Sequence, residues 1–287
     1  MTPLPERAGR RCHNALNPLH STLYFGSHLG GHLAPYGIDD ATACYLAARA
    51  APLGAVGAGA VTATFYNFNH TLIARFVPEV WEYASPDTVL AARLRAVDAT
   101  LRDLLGAETL ASPEVAEAAE LALRAAEGCS RPGRPLYAGN AELPVPEPAH
   151  LALWHAATLL REHRGDVHIA MLQQVGLDPL EALVTHTATG RGMAPKWVLG
   201  TRGYSEKDWE SARSRLMERE LLDEQGELTA DGAALRTELE EETDRLDARP
   251  YEHLGAERVA RLTELGRGLS AAVTEAGAFP QGLFGKG

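Results

Sequence analysis

The segment Glu162-His163-Arg164-Gly165-Asp166-Val167-His168 gathers two imidazoles, a guanidinium and the Asp166 carboxylate around one glycine. That set suits proton transfer on an anionic molecule. Histidine titrates near neutrality, aspartate can orient it or take a proton, and arginine grips a carboxylate, sulfate or phosphate with two parallel hydrogen bonds. Read this way, Asp166, His163 and His168 are the candidate catalytic groups and Arg164 the anion grip. Gly165 is expected to break a helix and so let these side chains converge. The same residues also fit plain capping, with Asp166 opening a helix over 168–175 while His163 and Arg164 close the preceding one.

A second cluster, Thr62-Ala63-Thr64-Phe65-Tyr66-Asn67-Phe68-Asn69-His70, mixes aromatic walls with amide and hydroxyl tips, as small-molecule pockets do. Tyr66, Asn67 and Asn69 are its candidate binding residues, with Arg75 one to two turns on and Arg202 as further anion grips. A buried helix with satisfied polar groups is the plainer alternative. His13, His20, His28 and His32 are scattered near Tyr24, and His20 is a candidate substrate contact. His28 and His32 have the four-residue spacing of zinc ligands, but Leu-Gly-Gly stands between them and no third partner is assigned, so no metal is expected. The glycines at 54, 57 and 59 do not lead into Gly-Lys-Ser/Thr, and no cofactor fingerprint is found.

The elements that must carry these groups are mostly helices. Val89-Leu90, Leu94, Val97, Leu101 and Leu104-Leu105 recur at helical spacing behind Ser85-Pro86-Asp87 and end at Gly106. Similar patterns predict helices at 6–25, 39–51, 59–68, 113–127, 147–163, 168–175, 178–189, 206–220, 231–247 and 256–276. Gly128–Pro148 holds five prolines and two further glycines, and is read as a linker unable to sustain a helix, or else as a long loop crossing one core. The expected architecture is mainly α. It comprises a helical domain (1–128), a Pro/Gly-rich linker (129–148) and a winged helix-turn-helix-like domain (149–287) with one short β-hairpin wing at 221–229.

The charges conflict with that last element. Residues 205–220, the recognition-helix position, carry Lys207, Arg213, Arg215 and Arg219 against five acids, and 221–231 has four acids and no base. The whole chain is at −11, with three lysines in 287 residues. A sequence-independent hold on DNA needs clustered cations to displace phosphate counterions, so nucleic acid is not the expected partner. No run of eighteen apolar residues suggests a membrane span, and the polar start, Met1–Arg11, is not a secretory signal. Three widely spaced cysteines imply no disulfide framework and fit a reducing cytoplasm.

Ala50-Ala51-Pro52-Leu53-Gly54, Val61 to Phe68, His163 to His168 and Thr201-Arg202-Gly203-Tyr204-Ser205 together resemble a largely uncharacterised actinobacterial family of helix-turn-helix proteins with a MarR-like C-terminal portion. The resemblance spans residues 10–280. It implies the winged-helix topology and an actinobacterial source, and brings no activity with it. Gly26 to His32 is richer in Gly and His than that pattern, which suggests a specialised member from a natural-product pathway. The sequence leads to a cofactor-free enzyme, with elimination or ring closure expelling sulfate or phosphate as concrete forms. The alternatives are a MarR-like ligand-responsive regulator and a non-catalytic partner subunit, in each case as a homodimer or bound to another protein.

Overall fold

A computed structural model describes residues 3–286. The chain divides into two compact units, each assembled from separated stretches. The first contains the chain up to Val56, Pro78–Val167 and Asp244–Phe279. The second contains Gly57–Val77, His168–Thr243 and the chain from Pro280 on.

In the first unit, Ala8–Ser21 packs against Ala256–Glu275. Gly266 permits the approach, because a Cβ there would lie 3.1 Å from the Ala15 carbonyl, which also accepts the Ser270 hydroxyl at 2.6 Å. The core around this pair is rich in alanine, including Ala118, Ala122, Ala125 and Ala156. Small side chains let helix backbones come close without leaving voids. The long helix Ala149–Gln174 is buried all round from Leu151 to Leu160, so it lacks the two-faced pattern of a surface helix.

That helix corrects one expectation. Gly165 does not break it, and the segments read as 147–163 and 168–175 are one element. A single glycine costs a helix only about 1 kcal/mol, which flanking residues bonded along the same helix can absorb. The Pro/Gly-rich stretch also differs from its reading, since Pro135–Ala141 is helical and buries Leu136, Tyr137 and Asn140. Pro135 stands in the first turn, where proline is tolerated, and no other proline interrupts the rest of this helix.

The second unit holds the helix-turn-helix. Pro179–Ala188 opens with a capping box between Asp178 and Glu181, Pro195–Arg202 follows, and Gly203 turns the chain into Glu206–Glu218. Gly203 has φ +76°, and a Cβ there would lie 2.6 Å from that of Leu72. Trp209, Ala212 and Leu216 bury one face of the last helix. No strand forms among the described residues; the expected hairpin is reduced to one antiparallel bridge, Leu222 to Leu228. The reason is local. Asp223 Oδ1 accepts the amides of Gln225 and Glu227, both at 2.9 Å, so the turn takes donors that a ladder would need. Ala230–Leu246 follows, and no single helix among the described residues is long and apolar enough to cross a membrane.

Candidate functional site

Within the long helix, Trp154, Thr158, Glu162 and Asp166 lie four residues apart and share one face. Opposite them in the first unit stand His20 and Arg49. The Thr158 hydroxyl donates to the Trp154 carbonyl at 2.9 Å, so at its 2.9 Å contact with His20 it must accept from Nδ1–H. This fixes the His20 tautomer and leaves Nε2 as an acceptor. The ring stacks on Trp154 (6.1 Å between centroids) and meets Tyr24 edge-on. Arg49 donates Nε–H and an Nη2–H to the two Glu162 oxygens, each at 3.3 Å, and a further N–H to the Tyr45 hydroxyl. Arg161 Nη1 also reaches Glu162 Oε2, at 2.5 Å. Arg93 is equally buried, yet donates only to neutral acceptors, the Ala48 carbonyl (3.1 Å) and Asn140 Oδ1 (3.4 Å), with its guanidinium over Trp154.

The charges do not balance. Three guanidinium groups face one committed carboxylate, and Arg93 has no ion pair among the described residues. Burial alone would raise the Glu162 carboxyl, but Arg161 and Arg49 outweigh it and hold it at about 2. Asp166, one turn further, goes the other way. Burial dominates, the Glu162 charge adds to it, and the carboxyl is pushed up to about 7, although the Tyr137 amide donates to Oδ2 at 2.9 Å. Burial and the surrounding guanidinium groups lower His20 to about 3, so it stays neutral. His155, 4% exposed, is lowered to about 4 by burial and by Arg93. Arg161, Tyr24 and Tyr45 are half-buried, so the cluster reaches solvent. A neutral acceptor, a carboxyl poised at neutrality and an excess of buried positive charge can together hold an anion and move a proton beside it.

The groups singled out in the sequence are not gathered as expected. An unbroken helix sends the neighbours of Asp166 to other faces. His163 Nδ1 lies 2.6 Å from Asp247 Oδ1, both almost fully buried, and Arg164 pairs with Asp244 at 2.8 Å. His168, assigned to the second unit, meets Thr243 at 3.1 Å. Of the predicted set, His20 and Asp166 belong to the charged cluster. In the second unit Tyr66 donates its hydroxyl to the Leu177 carbonyl at 2.6 Å from a strained backbone (φ +61°, ψ −65°). Asn69 caps the helix His70–Ala74, and its amide N–H donates to the Arg202 carbonyl at 2.9 Å. Arg202 lies over Phe68 at 4.3 Å, while Arg75 is exposed beside Phe76. Asn67 Oδ1 is buried without a hydrogen bond among the described residues. Sequence reasoning missed Arg49, Arg93 and Arg161, and gave Glu162 no role although it heads the first candidate segment. A signal existed for Arg49: it stands in Leu46-Ala47-Ala48-Arg49-Ala50-Ala51, a small-residue run offering no carboxylate within a helical turn.

The helix order Pro179–Ala188, Pro195–Arg202, Glu206–Glu218, with its αL glycine turn, is that of a helix-turn-helix. The model of a helix-turn-helix family matches residues 9–280. The chain belongs to this helix-turn-helix family. No curated protein and no solved structure matches it. In this family member the arginines of the recognition-position helix are paired with groups of the same chain. Arg215 donates to Asp178 (2.6 Å) and Glu181 (3.0 Å); Arg219 donates to Glu181 (2.9 Å) and to the Gly176 and Val175 carbonyls; Arg213 pairs with Glu210. Glu206, Asp208, Glu210, Glu218 and Glu220 are exposed along the same helix and its end.

Proposed function

We propose that the chain is a small-molecule enzyme that binds an anionic substrate in the first unit and works by cofactor-free proton transfer, its helix-turn-helix serving as scaffold. The observation that carries this reading is the unbalanced buried charge around Arg93, in a cluster whose Glu162 carboxylate also helps to raise Asp166 toward neutrality. Burying a cation without a counter-ion is costly, and an anionic ligand would remove that cost. In a ring-closing displacement, the Asp166 carboxylate takes the proton from an attacking amine or hydroxyl. The new bond to carbon forms as the C–O bond to sulfate or phosphate breaks, and the leaving anion passes to Arg93. His20 Nε2 accepts a hydrogen bond from the nucleophile and aligns it. In an elimination the same carboxylate takes a proton from carbon. The MarR-like character of the second unit and an actinobacterial natural-product setting rest on the sequence resemblance alone.

The test is thermal unfolding of the full chain with sodium sulfate or phosphate, sodium chloride serving as the ionic-strength control. Saturable stabilisation that Arg93→Met abolishes is expected, following the linkage between binding and stability. Equal responses of the native chain and the variant would overturn the reading. Family membership favours a second function, a transcriptional regulator. Salt-sensitive binding to duplex DNA at about 50 mM salt would establish it, because weak phosphate contacts register there.

A further inference from the structure

The second unit contains a hollow of about 290 Å³ between the start of Pro179–Ala188 and the helix Glu206–Glu218. Its size is near the lower end for ligand pockets, about 300 Å³. Pro179 and Leu180 give it an apolar side, and Asn69, Asp178, Tyr204, Asp208, Ser211 and Arg215 the polar one. Their open valences define what fits. Asp208 Oδ2 accepts both the amide and the hydroxyl of Ser205, at 2.8 and 2.7 Å, which leaves Oδ1 available. Asp178 Oδ1 accepts the amides of Leu180 and Glu181, while Oδ2 faces Arg215. Each Arg215 nitrogen already donates, to Asp178, Glu181 or Ser211, so this guanidinium is neutralised within the fold. The Tyr204 hydroxyl makes no hydrogen bond among the described residues. Burial first, then Asp178 and Asp208, push its phenol up to about 12, so it stays neutral and can donate. Asn69 accepts the Thr71 amide through Oδ1 and keeps its NH₂ open. The hollow therefore has surplus negative charge, an apolar side and two neutral donors.

We propose that this hollow is a second small-molecule site, taking a primary ammonium on Asp208 and Asp178 with an apolar body laid against Leu180 and the Tyr204 ring. A ligand seated there touches both the first and the last helix of the helix-turn-helix. It is opposite in charge to the anion proposed for the first unit, so the two sites stand or fall separately.

The experiment is calorimetric titration of the full chain at low salt with cyclohexylmethylamine, using cyclohexylmethanol and cyclohexanecarboxylate as neutral and anionic isosteres. The amine should saturate with a Kd of about 1 mM or tighter, at least about tenfold below either isostere. Asp208→Asn should weaken it about tenfold, because a charge-assisted bond becomes a neutral one while the new amide oxygen can still accept from Ser205. Tyr204→Phe, which leaves the cap untouched, should weaken it about threefold. No saturation by about 10 mM, equal binding of an isostere, or unchanged affinity in Asp208→Asn would each overturn the proposal.

Discussion

Replacing Asp166 with asparagine should make the protein more stable and less active, with the stability gain growing as pH rises. The carboxyl moves from an ordinary value of 3.8 to about 7 in the fold, chiefly through burial and then through the Glu162 charge. A raised acid carries no penalty below its unfolded pKa. It loses stability as pH climbs toward the folded value, since the unfolded chain gives up its proton first. About three pH units at about 1.4 kcal/mol each set the full penalty at about 4 kcal/mol near pH 8, falling to about 2 kcal/mol near pH 5. The Asp166→Asn side chain would keep the shape and an oxygen for the Tyr137 amide, but could not ionise. Urea unfolding of both proteins from about pH 5 to pH 8 measures the difference directly, with effects shared by both chains cancelling. A gain that stays flat across this range would mean that Asp166 titrates as an ordinary aspartate, and the argument for it as a base would fail. A pH-dependent gain accompanied by lost turnover would be the signature of a functional group held against the interest of stability.

His155→Gln should make the chain less acid-labile. A histidine lowered to about 4 costs stability as pH falls from 6.5 through 4, worth up to about 3 kcal/mol, and acid unfolding midpoints would show the loss of that term. Gly203→Ala should cost about 2 kcal/mol or more in denaturant unfolding, because alanine is strained at φ +76° and its Cβ would press on Leu72. Glu181→Gln removes the shared partner of Arg215 and Arg219; with the arginine side chains 43% and 36% exposed, solvent screens the loss to about 1–2 kcal/mol, again read by denaturant unfolding.

The helices are legible in the sequence because their signals are local. Ser85-Pro86-Asp87 caps the helix that begins at Pro86, and the apolar residues behind it bury one face. Asp178 and Ser205 likewise mark helix starts by their own side chains. The wing is over-read, because Asp223-Glu224-Gln225-Gly226 is a turn signal whether or not a ladder extends from it. Gly165 is over-read for the opposite reason, since its surroundings outweigh its own weak preference. The charged cluster is the least legible part. Arg49 and Glu162 are 113 residues apart, and Arg93 and Asn140 are 47 apart, so no spacing rule connects them. What sequence can offer is the anomaly of a charge in an apolar run, which singles out Arg49 but not its partner.

In the helix-turn-helix, the helix order and the charge distribution point to different partners. A DNA reader turns its arginines outward, where each phosphate contact releases a counter-ion. Glu181 holds two of them instead, and its own position is fixed, because it is the third residue of Pro179–Ala188 and closes a capping box on the Asp178 amide. Freeing Arg215 and Arg219 would strand that buried carboxylate, 5% exposed, and loosen the end of the helix it caps. The ion pairs thus belong to the packing of the first helix on the last. An outward swing of these arginines would cost part of the fold that presents them. Even then the exposed acids along Glu206–Glu220 would oppose a phosphate backbone. Shape shared with DNA readers and electrostatics hostile to DNA are both consequences of how this three-helix unit is held together, and shape alone does not decide what the unit binds.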